Sequence, residues 1–263
     1  IIGLLPTRFC LCMIYNRAMA ESVIKSYPRA GIHGRIVHEL GEEIGSGGLK
    51  PGERLPGDAE LTERFAASRT ATREALKVLA SKGLIEARQR AGTFVKPREE
   101  WDLLDPDVLS WLSPESIGEP LIDDLMEMRE VIEPVAARFA ADRASSEDIG
   151  KIEDAYGRME ESKENVQGFY EADRDFHLAV LASCHNQFID RMSSIVGTIL
   201  ALTFQLQSEV DVPLGMGLPA HKEVLDRIRS GDKRGAEKAM RATIGQGRRN
   251  LDDRMGRNSR RRR

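Results

Sequence analysis

The sequence predicts a mainly α protein in two parts: a small N-terminal module of helices closed by one β-hairpin, then a C-terminal bundle of six or seven helices. Three observations predict it. Aromatic residues make up only 5% of the 263 residues, while Leu, Ile, Ala and Met recur at helical spacing, which suits helix packing better than a large sheet. Strand formers concentrate in one place, "LIEAR" and "GTFVK" around "QRA", directly after a helical pattern. Charge divides in the same region: residues 19–100 hold 14 Lys and Arg against 12 Asp and Glu, a net of +2, whereas residues 101–250 hold 17 against 28, a net of −11.

Residues 1–27 are expected to be an extension, disordered or artefactual in part. "IIGLLPTRFCLCMIY" is apolar, but it lacks the basic start of a signal peptide and is too short to span a bilayer. The N-terminal module is placed at 28–98. Ile32, Ile36, Leu40 and Ile44, four apart, mark one face of a first helix, which "GGLKPGERLPG" ends. "DAELTERFAAS" sets Leu61 and Phe65 on one face of a second. After a short turn, Arg69 to Lys82 form a third, with Leu76, Leu79 and Ala80 inward and Gly83 as its stop. Helix, helix, turn, helix, hairpin is the order of a winged helix-turn-helix. Residues 99–120 read as a linker rich in Pro, with one short helix at "DPDVLSWL" capped by Asp105, Pro106 at its first turn, and Trp101 and Trp111 as packing anchors. Residues 121–254 are helical throughout, with Leu121, Leu125, Ile132, Val135 and Phe139 inward on a long first helix that Pro134 should kink. Residues 255–263 are a basic tail. Three scattered cysteines argue for a reducing compartment, the cytoplasm, and no segment is apolar enough to cross a membrane.

Arg69, Arg73 and Lys77 share one stripe of the third helix, with Thr70 beside it. A recognition helix needs this division, one face held by its domain and the other free for the major groove, where Arg pairs with guanine O6 and N7. Ser68 at the helix N-terminus can offer its hydroxyl and free N–H groups to a phosphate. Arg88 and Arg90 lie in the hairpin, where a wing meets backbone or minor groove. A solvated basic face would explain the helix alone; the preceding helix-turn and following hairpin favour DNA.

"LKPGERLPGDAELTERFAASRTATREALKVLASKGLIEARQRAGTFV" resembles the DNA-binding domain of the GntR family of bacterial transcription regulators. The resemblance implies a homodimer on a palindromic double-stranded operator and carries DNA contacts onto Ser68, Arg69, Thr70 and Arg73. Two positions depart from the family pattern: Ala59, where an Arg is common, and Arg90, where the wing tip commonly has Gly. Arg90 is expected to add a phosphate or minor-groove contact.

The helical half carries polar residues in apolar stripes. Arg129 sits between Leu125, Ile132 and Ala136; Asp173 and His177 are one turn apart, with Val180, Leu181 and Cys184 following; His221 aligns with Val224, Leu225 and Ile228. Each is costly to bury without a partner, so several pointing into one bundle imply a polar cavity. Asp and His at i,i+4 are natural metal ligands, and His221 can supply a third. Arg129 is a candidate carboxylate clamp, or else half of a salt bridge within the bundle. This half resembles the FCD sensory domain of the FadR-type branch, whose "DxxxH" and two later histidines hold a divalent metal such as zinc, nickel or manganese. Asp173, His177 and His221 match that set, but Thr243 stands where the last His belongs. Either three ligands hold a metal with open positions, or these residues and Thr243 bind the effector directly.

"REEWDLLDPDVLSWL", "VIEPVAARFAADRAS" and the absent last His resemble the galactonate-operon repressors within the family. The implied function is a transcription regulator of a sugar-acid operon, released by an aldonate such as galactonate, or by a uronate, lactate or another hydroxy acid. A metal-dependent enzyme acting on a small acid is the rival class, and an architectural DNA binder a third; no nucleophile, phosphate loop or paired catalytic carboxylates accompany the ligand set.

Overall fold

The computed structural model describes residues 26–113, 116–207 and 215–254. The extension up to residue 25, with Cys10 and Cys12, and the tail from 255 lie outside the described residues. The chain divides into two compact units, residues 1–116 and 117–263.

In the first unit, α1 (Gly31–Gly45), α2 (Asp58–Arg64) and α3 (Arg69–Ser81) precede the hairpin of β1 (Ile85–Arg88) and β2 (Gly92–Val95). Ile36, Leu40 and Ile44 of α1 meet Leu61, Phe65, Leu79 and Val95 in a closed core. Ile32, the first member of the expected stripe, is instead 37% exposed, because it lies in the first turn of α1. On α3 the inward residues are Thr72, Ala75 and Leu79; Leu76 is half-buried and Ala80 exposed, so the buried face is turned from the expected one. The hairpin is antiparallel, with Ile85 opposite Val95 and Arg88 opposite Gly92. A third strand-like segment was not expected: Arg54 bridges Phe94, and Leu55 N–H donates to the Thr93 carbonyl. The Gly- and Pro-rich stretch thus turns back into the sheet.

The described residues of the expected linker up to Ser116 fall within the first unit, with Trp101 and Trp111 buried as the anchors expected of them. Asp105 caps α4 (Pro106–Trp111) by accepting from the Asp107 and Val108 N–H groups. Trp111 lies against Gly41 and Gly45 of α1; a Cβ on Gly41 would stand 2.5 Å from the indole. Only glycine allows this approach. Trp111 Nε1 donates to His38 Nδ1 at 3.1 Å, and Lys82, at the C-cap of α3, binds Asp105 at 2.6 Å and Asp107 at 2.8 Å. The third helix and the following segment are therefore tied together.

The second unit is a bundle of seven helices among the described residues: α5 (Glu119–Arg143), α6 (Ser146–Glu161), α7 (Val166–Ser183), α8 (Gln187–Arg191), α9 (Ser193–Gln207), α10 (Leu218–Arg229) and α11 (Lys233–Arg254). α5 packs on α11, α7 and α10, and α6 on α7 and α10. α6 opens with a capping box between Ser145 and Asp148. α5 runs through Pro134 as one helix. Its buried face is Ile122, Met126, Arg129, Glu133, Ala136, Ala137 and Ala140, while Leu121, Leu125, Ile132, Val135 and Phe139 are only half-buried. Small residues take the deepest positions, where helix backbones approach most closely. Asn186 is the N-cap of α8, and His185, at φ 47°, takes the left-handed turn after α7. Among the described residues no helix is long and apolar enough to cross a membrane.

Candidate DNA-binding face and helical-domain cavity

On α3, Ser68 is the N-cap: its Oγ accepts from Ala71 N–H at 3.1 Å, which leaves its hydroxyl proton free to donate outward. Arg69 and Thr70 are exposed in the first turn. Arg73 is exposed and pairs with Asp58 of α2 at 2.9 Å, and Lys77 pairs with Glu74 at 2.7 Å. Such surface pairs contribute about 0–1 kcal/mol, so either cation can exchange its partner for a phosphate. Arg88 pairs with Glu86 and lies 4.6 Å from the centre of the Phe94 ring. Arg90 occupies the wing turn at φ 60°, in the left-handed region that disfavours a side chain.

In the second unit, Asp173 and His177 of α7 and His221 of α10 bring one ligand atom each within 4.8 Å of one another. His221 Nε2 lies 3.0 Å from Asp173 Oδ1 and 3.4 Å from His177 Nε2. The opposite ring nitrogens are engaged: His177 Nδ1 is 2.5 Å from Glu133 Oε2, and His221 Nδ1 is 2.8 Å from the Gly217 carbonyl. With Nδ1 donating in both rings, His221 Nε2–H donates to Asp173 Oδ1, and loss of that proton would leave both Nε2 lone pairs and the carboxylate facing one point. Glu133 also accepts from Arg129 Nε at 2.6 Å. Burial acts to raise the Glu133 carboxyl, but the Arg129 and His177 charges and hydrogen bonds outweigh it and hold it at about 2. Asp173 is likewise brought to about 2 by its hydrogen bond and attraction to His221, against burial. The same contact raises His221 despite its own burial.

Asp173, His177 and His221 line a cavity of about 120 Å³ with Phe169, Tyr170, Thr203, Gln246 and Asn250. Arg129 and Thr243 line it too; Thr243 Oγ1 donates to the Ala239 carbonyl of its own helix at 3.0 Å. Arg129 thus forms the salt bridge within the bundle that was considered for it, with Glu133 as its partner. Its Nε edge is committed to Glu133, and the Nη1–Nη2 edge remains as a two-point donor. The donor set suits a borderline divalent ion: two imidazoles and a carboxylate, with outer partners already in place. Thr243 supplies no strong fourth donor.

Sequence reading missed Glu133 and the Gly217 carbonyl. Glu133 was legible as the i,i+4 partner of Arg129 inside an apolar stripe; Gly217 had no such signal, because a carbonyl is common to every residue.

The winged module and the helical cavity define a class, a DNA-binding transcription regulator with a helical small-molecule domain. The comparisons place the chain within it. Residues 32–95 match the model for bacterial regulatory proteins of the gntR family, and residues 124–246 match the FCD domain. The chain is 38% identical to the galactonate operon transcriptional repressor of Escherichia coli (strain K12), over 83% of this chain and 96% of that protein. It is 34% identical to the Uxu operon transcriptional regulator of the same strain, over 72% and 75%. The chain belongs to the gntR family, with an FCD domain. Family and relatives are regulators of transcription, not enzymes. The fold is shared with solved structures of E. coli McbR/YncC (TM-score 0.53, 18% identity, 86% of this chain and 99% of that one) and of Lar, described as controlling the Listeria monocytogenes agr system (TM-score 0.59, 17% identity, 86% and 98%).

Proposed function

We propose that this protein represses a sugar-acid catabolic operon from the cytoplasm, as a homodimer on a palindromic operator, and is released by an aldonate such as galactonate. Two things support the reading: the meeting of Asp173, His177 and His221 in one cavity with Arg129, and the likeness to a galactonate operon repressor. Asp173 Oδ1 and the two Nε2 atoms would hold a divalent ion, zinc, nickel or manganese. When bound, that ion supplies a positive centre with open coordination positions for a carboxylate or hydroxyl oxygen. Glu133 and the Gly217 carbonyl keep the imidazoles oriented. Arg129 takes the acid's carboxylate through its Nη edge, and Thr243 offers a hydroxyl. Ser68, Arg69, Thr70, Arg73 and Lys77 read the operator, with Arg88 and Arg90 on its backbone or minor groove.

Release requires that the acid bind more tightly to the conformation with low operator affinity. A uronate or another hydroxy acid is the second reading, because relatives include the Uxu operon regulator and a putative L-lactate dehydrogenase operon regulatory protein. Isothermal titration with galactonate, glucuronate and L-lactate, on metal-loaded and chelator-treated protein, decides between them. Galactonate binding that needs metal and weakens in Arg129→Lys supports the reading. Absence of binding by any of the three acids, with operator binding intact, refutes it.

A further inference from the structure

We infer that Arg54, outside both the recognition helix and the hairpin, is a DNA-phosphate contact on the solvent face of the wing. The register sets the geometry. Directly paired residues share a face of a sheet, and alternate residues along a strand return to it. Arg54 pairs with Phe94, Phe94 with Glu86, and Arg88 with Gly92. Arg54, Glu86, Arg88, Gly92 and Phe94 therefore lie on one face. The opposite face carries Leu55, Ile85 and Val95, all buried against the core.

Gly92 makes room for Arg54. A Cβ at Gly92, which stands at φ 112°, would meet the Arg54 Nε at 2.6 Å and its Cζ at 3.3 Å. The guanidinium thus lies beside the wing strand at Gly92, while Arg88 lies over Phe94 on the same face. The charges differ in availability. Arg88 is paired with Glu86 at 2.7 Å and must exchange that surface partner to meet a phosphate. Arg54 is exposed and has no ion pair among the described residues; its neighbour Glu53 turns back to accept from Lys50 N–H. An exposed planar cation, held by a sheet bridge and unneutralised, fits a polyanion backbone. The partner is duplex DNA already engaged by α3, so the inference rests on the DNA-binding reading.

The test is fluorescence anisotropy of the full chain with a labelled mixed-sequence duplex, titrated across salt. Each lost phosphate contact reduces the slope of log K against log salt by about 0.9, so between 50 and 200 mM salt Arg54→Gln should lose about 3.5-fold less affinity than wild type per Arg54 engaged. Glu86→Gln is the second variant. It removes the anion facing Arg54 and Arg88, and should tighten binding at low salt. Unchanged binding in both variants, at unchanged melting temperature, overturns the assignment while leaving the recognition helix intact. Failure of the wild type to bind any duplex would overturn both readings.

Discussion

Glu133→Gln is the most incisive perturbation of the cavity. Glu133 is 1% exposed and carries two hydrogen bonds of opposite function, one fixing Arg129 and one orienting His177. Its carboxyl is held at about 2 against 4.5 for an unperturbed glutamate. That depression corresponds to roughly 3 kcal/mol of favourable interaction with the ionised form. A folded value below the unfolded one stabilises the fold fully above pH 4.5, and the contribution is lost as pH falls towards 2. A glutamine keeps the shape but has only one acceptor, so it cannot receive both Arg129 Nε–H and His177 Nδ1–H. Removing one partner of a buried ion pair costs about 3–5 kcal/mol, in agreement with the first figure. Losing the outer partner of a ligand histidine also weakens metal binding about 10–100-fold. Urea unfolding of chelator-treated protein measures the first effect, and competition with a chromophoric chelator the second. A variant within about 0.5 kcal/mol of wild type that binds metal equally well would refute the argument, since typical surface changes fall in that range.

Thr243→His should supply the fourth ligand, tightening metal binding at least about tenfold while weakening the acid, which loses an open position; the same chelator competition and calorimetry check it. Arg90→Gly should raise stability by about 0.5–1 kcal/mol in urea unfolding, because glycine relaxes the left-handed turn at φ 60° and its extra unfolded-state entropy offsets only part of the gain. The same variant should flatten the salt dependence of DNA binding. His38 is held below 6.5 by burial, against the opposing hydrogen bond to the Tyr27 carbonyl, and accepts from Trp111 while neutral. A lowered folded value means stability present above pH 6.5 and lost as pH falls through that value. Both tryptophans lie in the first unit, so fluorescence-detected unfolding should show a midpoint that drops on acidification, with a smaller drop in His38→Gln.

Much of the candidate site was legible because helical spacing is local. Asp173 and His177 stand one turn apart on α7, and that alone places them side by side. His221 could be aligned on its own helix, but no local rule says that α10 faces α7. The inward stripe of α5 was misjudged for the same reason. Large apolar residues mark an amphipathic face, yet the deepest positions went to alanines, Arg129 and Glu133, because close helix contact selects small side chains and a buried arginine must find its carboxylate. The linker was read as anchored by Trp101 and Trp111, but the surface that receives them was not legible. Gly41 and Gly45 leave a slot for Trp111, and that complementarity spans some 70 residues of sequence, beyond any windowed pattern.

The sequence by itself determined the class of fold, the order of its elements, the basic stripe of α3 and the family. These depend on periodicity, turn chemistry and motif, all written within a few residues of one another. Tertiary structure alone decided that Glu133 orients His177, that Arg129 keeps one edge for the cavity, that Arg54 shares a face with the wing, and that the segment after the wing belongs to the DNA-binding unit. Each of these is a meeting of side chains from different elements, and only packing, which must bury apolar area and pair every buried charge at once, selects which faces meet.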